Sequence, residues 1–485
     1  MAKETERLVH LGNVRVGMAR AAFTDCGRLL GRDGSPVTDA IVHDDVYATA
    51  VALSDGSRKV VLFGLDYGSM CVQAMDAIRR RVASRLDMPI RQVITTMTHT
   101  HAGLSTNGLD KEKFADRLVQ VAQAALDSAA PVEMAYAVTD VGIGFNLNRR
   151  IELTDGLGAH CVMFNTDCVT RDGRVEATEQ LKKLVAEWGG KWEETEMSRR
   201  PNYADGPTDR TLHLVVLRKL GGPVIGAIVR FSGHPVVVSR YWIGHTISRD
   251  VPGYVVDEVM EKLGAPVMYL TGPSGDQRMY CQEYSFGEAE RIGKALAGKV
   301  LELTTDLKFE PVVDAALAEA LVKLPIRKDA PRTPAEVEQV VRELDVQIAQ
   351  AHAGGAPPAK IKQLMDQRAR QAFMTGMLNQ TLVTAEELAA GVKPIEFPFL
   401  RLGEVGFACL PGEPFHKIGL GIVEGLSPHK VVTAQLANGT VTYVPLAEEV
   451  AKGGYETTWS VTAPGTDSIM VREQIRLGRK AFSES

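Results

Sequence analysis

Short runs of apolar, β-branched residues alternate with longer amphipathic segments through most of the chain. Residues 59–65 (KVVLFGL) form a continuous apolar run that predicts a buried strand, and apolar positions spaced three and four apart predict a helix over 72–86. The alternation continues with a strand that ends near His99 and a helix over about 111–128, and it resumes over 212–303. Strand–helix–strand order of this kind predicts α/β layers with at least partly parallel strands.

Two segments interrupt this alternation. Residues 330–375 are charged and Ala-rich, with a helix start of the form Thr-Pro-Ala-Glu at 333–336 and a Gly/Pro-rich turn at 354–358. Residues 188–207 are polar and Gly-rich, which predicts a loop that serves either as a lid or as a surface excursion. We therefore expect one large mixed α/β domain over 10–475 with an inserted helical hairpin over 330–375.

Composition argues against a nucleic-acid-binding, membrane-spanning or secreted protein. The 485 residues are 45% hydrophobic and 24% charged, with a net charge of −5 and no basic cluster that would attract nucleic acid. The longest apolar stretches are strand-sized, so we expect no membrane span. The charged N-terminus lacks the apolar core of a secretory signal, and the six cysteines show no CxxC spacing. We expect a cytoplasmic protein with reduced thiols, and homo-oligomer formation stays open.

A pair of histidines closes one of the predicted strands. The sequence Thr98-His99-Thr100-His101 follows the apolar run 93–96. Because side chains alternate along a strand, we expect His99 and His101 to point the same way at its exposed end. Two imidazoles at such a place form half of a metal site; the alternative is one structural and one solvent-facing histidine.

Four further positions carry candidate chemistry. His234 ends another β-rich run, before a Gly-Pro turn. Glu413 follows Pro-Gly and is predicted to open a helix, where it would be either a metal ligand or a favourable charge at the helix dipole. Tyr443 and Tyr455 would, on residue type alone, be core residues with a bonded hydroxyl. The Gly-rich turn around Asp276 could border a substrate or anion, but it is neither a GxSxG elbow nor a phosphate loop.

Together and in this order, these pieces resemble the neutral/alkaline, non-lysosomal ceramidase family. The resemblance covers about residues 12–470 and is carried by the following motifs: Thr98-His99-Thr100-His101, Asn146-Leu147-Asn148-Arg149, Asp205-Gly206-Pro207-Thr208-Asp209, Gly233-His234-Pro235, Gly275-Asp276, Pro411-Gly412-Glu413 and the pair Tyr443/Tyr455. No single motif is decisive. The resemblance depends on the order of the motifs along the chain and on the spacing between Tyr443 and Tyr455.

The resemblance implies a zinc hydrolase that cleaves an amide bond through a metal-activated water. The implied zinc ligands are His99, His234, Glu413 and Tyr443. The implied catalytic residues are His101, which would move a proton, and Arg149 and Tyr455, which would donate to the oxyanion. Tyrosine is an unusual zinc ligand, and spacing alone does not select it.

The sequence departs from that family at one turn. Ceramidases continue the Gly-Asp turn with Val-Ser-Pro, and their serine takes part in catalysis; here Arg278 stands at the serine's position. We expect Ser274, Asp276 and Arg278 to contact a small or medium polar substrate, such as a carboxylate, rather than ceramide. We also expect no C-terminal β-sandwich domain. Alternatives are a zinc-dependent ester or lactone hydrolase, another metal-assisted reaction such as a lyase, or a non-catalytic metal- or ligand-binding relative.

Overall fold

The structure is a computed structural model that describes residues 6–31, 34–153, 157–161, 179–191, 207–239, 243–329, 333–379 and 382–483. The strands in these ranges are β1 (Glu6–Gly12), β2 (Arg15–Ala22), β3 (Ile41–Val42), β4 (Tyr47–Ser54), β5 (Lys59–Leu65), β6 (Val93–Met97), β7 (Val132–Asp140), β8 (Asn146–Asn148), β9 (Arg150–Leu153), β10 (Gly158–Cys161), β11 (Thr211–Lys219), β12 (Val224–Phe231), β13 (Thr246–Ile247), β14 (Val267–Thr271), β15 (Gln277–Met279), β16 (Glu310–Pro311), β17 (Asp314–Pro325), β18 (Val392–Leu402), β19 (Val405–Cys409), β20 (Glu413–Pro414), β21 (Lys430–Ala434) and β22 (Tyr443–Val444). The helices are α1 (Val72–Arg85), α2 (Lys111–Asp127), α3 (Glu179–Glu187), α4 (Asp250–Leu263), α5 (Phe286–Glu302), α6 (Pro334–Ala353), α7 (Pro358–Asn379), α8 (Ala385–Ala390), α9 (His416–Gly425), α10 (Ala447–Val450), α11 (Tyr455–Thr458) and α12 (Thr466–Phe482).

Three sheets form the body of the domain. Their strand orders are β2-β4-β5-β6, β14-β12-β11-β7-β16 and β1-β17-β18-β19-β21. Most neighbours are antiparallel, but each sheet contains one parallel pair: β5 with β6, β12 with β14, and β19 with β21. The fold is thus the single mixed α/β domain that the sequence predicted, with partly parallel sheets.

The inner faces of the three sheets share one hydrophobic core. Along β5, Val60 and Leu62 enter this shared core, whereas Val61 and Phe63 face the helices α1 and α2. The other two sheets also place one face in the shared core and the opposite face against helices. Helices α4 and α5 cover the sheet that contains β12, and α9 and α12 cover the sheet that contains β18. The period-two alternation of a strand explains why one apolar run serves two cores.

The inserted hairpin is present. Thr333 accepts a hydrogen bond from the backbone N–H of Glu336, whose side chain accepts one from the Thr333 N–H, and this capping box starts α6. The second helix, α7, reaches Asn379, beyond the predicted end. The predicted loop 188–207 lies mostly outside the described residues, which omit 192–206, so its role stays a prediction.

Two local predictions were wrong. Glu413 does not open a helix: it pairs in the short strand β20, and α9 begins only at His416. The strand before the histidine pair ends at Met97, and His99 has a φ of 70°, in the left-handed region. Strand alternation therefore does not orient His99 and His101; a tight turn does.

In the part of the chain that the structure describes, no helix combines the length and apolarity that crossing a bilayer requires. The cysteines in those ranges form no disulfides; they are Cys26, Cys71, Cys161, Cys281 and Cys409. Cys168 lies outside the described residues.

Candidate metal centre

One strand from each sheet delivers a polar side chain to a common point. His99 follows β6, His234 follows β12 and Glu413 follows β19. Hydrogen bonds join the strand ends of neighbouring sheets: the hydroxyl of Thr271, at the end of β14 beside β12, donates to the Thr98 carbonyl at 2.8 Å. The carboxyl ends of strands from three sheets therefore meet where the shared core ends.

The hydrogen bonds of the two histidines fix their tautomers. Nδ1 of His99 lies 2.6 Å from the carbonyl of Gly68, and Nδ1 of His234 lies 2.9 Å from the carbonyl of Ser274. Because a carbonyl oxygen can only accept, each Nδ1 carries the proton and each Nε2 of the neutral ring is left with a lone pair. In metal-binding histidines, the ring nitrogen that is not a ligand usually donates its N–H to a carbonyl or a carboxylate, as Nδ1 does here.

The two free nitrogens face each other across a carboxylate. The Nε2 atoms of His99 and His234 are 2.7 Å apart, and Oε2 of Glu413 lies 3.2 Å and 3.3 Å from them. Two lone pairs at that distance repel each other unless they share a cation. All three groups are buried, and this donor set of two imidazoles and one carboxylate suits a divalent transition metal.

His101 completes a three-histidine group. Its ring centroid lies 4.8 Å from that of His99, and one ligand atom from each of His99, His101 and His234 lies within 4.8 Å of the others. Nε2 of His101 is buried and has no hydrogen-bond partner. Burial, helped by the neighbouring histidines, holds the pKa of His101 well below its ordinary value. The ring is therefore a neutral imidazole directed at the centre.

Glu413 and Tyr443 are held opposite each other. They are direct partners in the parallel β20–β22 pair, and the Tyr443 ring stacks on His234 with centroids 6.3 Å apart. Burial opposes ionisation of Glu413, but His99 and His234, when their rings are protonated, outweigh it through their charge and their hydrogen bonds and keep the pKa of this carboxyl well below its usual range. Burial and the charge of Glu413 raise the pKa of Tyr443 well above its usual value. Tyr443 thus lines the centre, and its role as a ligand stays a prediction.

A buried ion-pair network fixes Arg149 beside the tyrosines. Nε of Arg149 donates to Glu456 at 2.9 Å, and Nη2 donates to the carbonyl of Gly275 at 2.6 Å. Arg150 donates to the other oxygen of Glu456 at 2.8 Å. Burial alone would raise the pKa of Glu456, but the two guanidinium groups outweigh it and lower that pKa. Glu456 was missed in the sequence, where its only signal was a charge next to Tyr455.

Tyr455 lies behind Tyr443. Their ring centroids are 5.7 Å apart in an edge-on arrangement, and Tyr455 begins the short helix α11. Burial raises the pKa of Tyr455, so its hydroxyl keeps its proton at neutral pH and remains a hydrogen-bond donor.

Of the three residues expected to contact substrate, Asp276 is already engaged. Its carboxylate accepts hydrogen bonds from the backbone N–H of His416 at 2.8 Å and from the His416 ring at 2.6 Å. The hydroxyl of Ser274 is buried without a partner. Arg278 is fully buried and pairs with His234 in an isolated parallel bridge. Contact of these three residues with a substrate stays a prediction.

A small polar cavity of about 160 Å³ lies beside the histidines. It is lined by His99 and His101 together with hydroxyl-bearing side chains that include Tyr67, Ser69 and Thr106. Its position makes it a route by which water and a small molecule can approach the two rings.

Comparison with known proteins shows similarity in fold rather than in sequence. No family model and no curated protein sequence matches the chain. The solved neutral ceramidase from Pseudomonas aeruginosa has a TM-score of 0.61 at 16% identity, over 96% of this chain and 74% of that one. A structure titled "Ceramidase complexed with C2" has a TM-score of 0.64 at 16% identity, over 98% and 76% of the two chains. The chain thus has a ceramidase-like fold.

Proposed function

We propose that this protein is a zinc-dependent hydrolase that cleaves an amide (C–N) bond of a small or medium polar substrate. The observation that carries the proposal is the pair of imidazole Nε2 atoms, 2.7 Å apart in His99 and His234, next to the Glu413 carboxylate. In neutral rings these Nε2 atoms and the carboxylate direct lone pairs at one point, an arrangement that is suited to a metal ion. The two solved structures reported above are ceramidases, and the resemblance to that family implies amide hydrolysis.

His99, His234 and Glu413 would hold the ion, with Tyr443 as a fourth ligand by resemblance to the family. A zinc ion in such a site supplies a Lewis acid and lowers the pKa of a coordinated water. The buried setting and the two backbone contacts of the histidines keep the donor atoms in place before any metal binds.

The remaining side chains have separate tasks in this proposal. His101 is a neutral base whose free Nε2 accepts a proton and returns it to the leaving nitrogen. Arg149 and Tyr455 donate hydrogen bonds to the oxyanion. Because Glu456 and the Gly275 carbonyl already fix Arg149, its charge needs no reorganisation as the oxyanion forms.

The test combines elemental analysis with turnover on a panel of amides, esters and lactones. We expect about one zinc per chain and amide hydrolysis that His101→Ala abolishes while zinc is retained. The exposed histidine His352 offers a matched control, since His352→Ala should leave both readouts unchanged. Protein purified without chelators that contains no metal would refute the proposal.

The other outcomes separate the alternatives. Turnover confined to esters or lactones would replace amide hydrolysis with ester hydrolysis. Stoichiometric zinc without turnover on any substrate would indicate a binding protein. Loss of zinc in His101→Ala would make His101 a ligand, and a proton-transfer role for it would be wrong.

A further inference from the structure

One buried cation near the candidate centre has no carboxylate counter-ion among the residues that the structure describes. Arg278 is 0% exposed, and its Nη1 donates to the thiol sulfur of Cys281 at 3.3 Å. Its Nε and Nη2 atoms are buried and have no hydrogen-bond partner. Among the described residues, no carboxylate forms an ion pair with it, and a thiol is only a weak acceptor.

This arrangement is costly for the protein on its own. A buried guanidinium normally has a carboxylate or several carbonyl groups around it, because an unpaired buried charge loses its hydration without compensation. Arg230 and Arg401, equally buried, each bind a carboxylate and backbone carbonyls. Within the part of the chain that the structure describes, Arg278 is the exception, and its two unpartnered atoms can accommodate an external group.

The two free atoms form one edge of the guanidinium. The N–H groups of Nε and Nη2 point in the same direction and are spaced to fit the two oxygens of a carboxylate. Since Nη1 is the atom that contacts Cys281, the edge left without a hydrogen-bond partner is the one suited to a bidentate anion.

Arg278 also lies at the candidate centre. It is the direct bridge partner of His234, so the two side chains leave their strands on the same side, at backbones roughly 5 Å apart. Arg278 therefore lies next to one of the histidines around which we place the scissile bond.

We propose that Arg278 binds a carboxylate of the substrate, so that the preferred substrates are amides that carry a carboxylate a few bonds from the scissile bond, such as N-acylated amino acids. This inference rests on the proposed hydrolase function for the nature of the bond, whereas the anion site itself rests on the geometry of Arg278. A cationic residue in this place disfavours a purely apolar substrate, because an apolar group would leave the charge unpaired.

The first experiment measures binding without catalysis. The probes are 4-oxo-4-phenylbutanoate, a non-cleavable analogue of N-benzoylglycine, and the neutral alcohol 4-oxo-4-phenylbutan-1-ol, titrated calorimetrically into the protein as purified. We expect the carboxylate to bind at least about tenfold more tightly than the alcohol. Arg278→Gln should reduce this preference to within about twofold. Arg278→Lys keeps the charge but loses the paired N–H groups of the guanidinium, so its preference for the carboxylate should be intermediate.

The second experiment separates a ligand-binding arginine from a structural one. Arg278→Met removes an unpaired buried charge, so we expect an unchanged or higher melting temperature. The control is Arg401→Met, which breaks contacts to Asp314 and to the Ala481 carbonyl and should lower the melting temperature. An equal loss of stability in both variants would overturn the inference, as would a carboxylate preference that survives Arg278→Gln or is absent from the unmodified protein.

Hydrolysis assays test the anion site and the proposed hydrolase function separately. N-Benzoylglycine and its neutral amide, N-benzoylglycinamide, serve as a matched pair. An Arg278-dependent preference for the carboxylate probe without hydrolysis of any amide would refute the hydrolase and leave the anion site standing. Hydrolysis of both amides at rates that Arg278→Gln does not change would leave the hydrolase standing and refute the anion site.

Discussion

Replacing Glu456 with glutamine isolates the contribution of the ion-pair network that holds Arg149. The carboxylate is 0% exposed and accepts charged hydrogen bonds at 2.9 Å from Arg149 and at 2.8 Å from Arg150. In Glu456→Gln, Arg150 keeps its contact with Glu449 at 3.1 Å, but Arg149 loses the only carboxylate that pairs with it among the described residues. Removing one partner of a buried pair costs about 3–5 kcal/mol. Because Arg150 stays paired, we expect a loss near the lower bound, about 3 kcal/mol.

Equilibrium unfolding in urea, followed by circular dichroism, measures this loss as the shift of the midpoint multiplied by the slope m. The matched control is Glu448→Gln, since Glu448 is an exposed residue whose nearest cation, Lys417, lies 3.5 Å away. We expect it to change stability by less than about 0.5 kcal/mol. Glu456→Asp keeps the charge and should recover part of the loss. A destabilisation below about 1 kcal/mol in Glu456→Gln would refute the view that this carboxylate positions Arg149.

Three further predictions concern the candidate centre and its surroundings. His99→Ala should lose bound zinc, measured by elemental analysis, and chelators should lower the melting temperature of the unmodified protein but not of this variant, because binding stabilises only the folded state. Gly275→Ala would place a Cβ atom 2.4 Å from the backbone oxygen of Glu413, so it should displace that segment and weaken zinc binding at least about tenfold, measured by competition with a chelator. His416, despite burial, has a raised pKa because of the Asp276 carboxylate. Its stabilisation is therefore complete below its ordinary pKa of 6.5 and is lost as pH rises through the raised value, so His416→Gln should cost more stability at pH 6 than at pH 9, measured by urea unfolding.

The first two of these predictions have a matched control, and each of the three has its own contradicting result. For the metal, His352→Ala should keep normal zinc, and full zinc occupancy in His99→Ala would exclude that ligand. For the glycine, Gly298→Ala meets no atom within 4 Å in helix α5 and should be neutral or stabilising by up to about 1 kcal/mol. Equal zinc affinity in both glycine variants would contradict the close-approach argument. A stability loss in His416→Gln that is independent of pH would show that the ion pair with Asp276 does not contribute.

Local structure could be predicted well because it depends on neighbouring residues. The apolar run 59–65 is a strand with exactly those bounds, and the predicted helix over 111–128 spans Lys111–Asp127. Asp110 caps that helix by accepting hydrogen bonds from the backbone N–H groups of Glu112 and Lys113. Periodicity and capping are short-range properties, so a single sequence contains them.

The geometry of the candidate centre could not be predicted in the same way. The sequence singled out His99, His234 and Glu413, but it assigned Glu413 to a helix and oriented His99 by strand alternation, and both predictions were wrong. It contained almost no sign that Glu456 would pair with Arg149, because 307 positions separate the two residues.

The sequence by itself determined the order of strands and helices, the partly parallel α/β class and the residue types available for a metal site. Only the tertiary structure decided that ends of strands from three different sheets meet, that two Nε2 atoms face each other at 2.7 Å, and that one edge of Arg278 is left without a partner. The physical reason is the distance along the sequence over which the interactions act. Secondary structure follows from contacts within a few residues, whereas a buried site is fixed by burial, charge pairing and hydrogen bonds between segments that only the packing of the whole domain brings together.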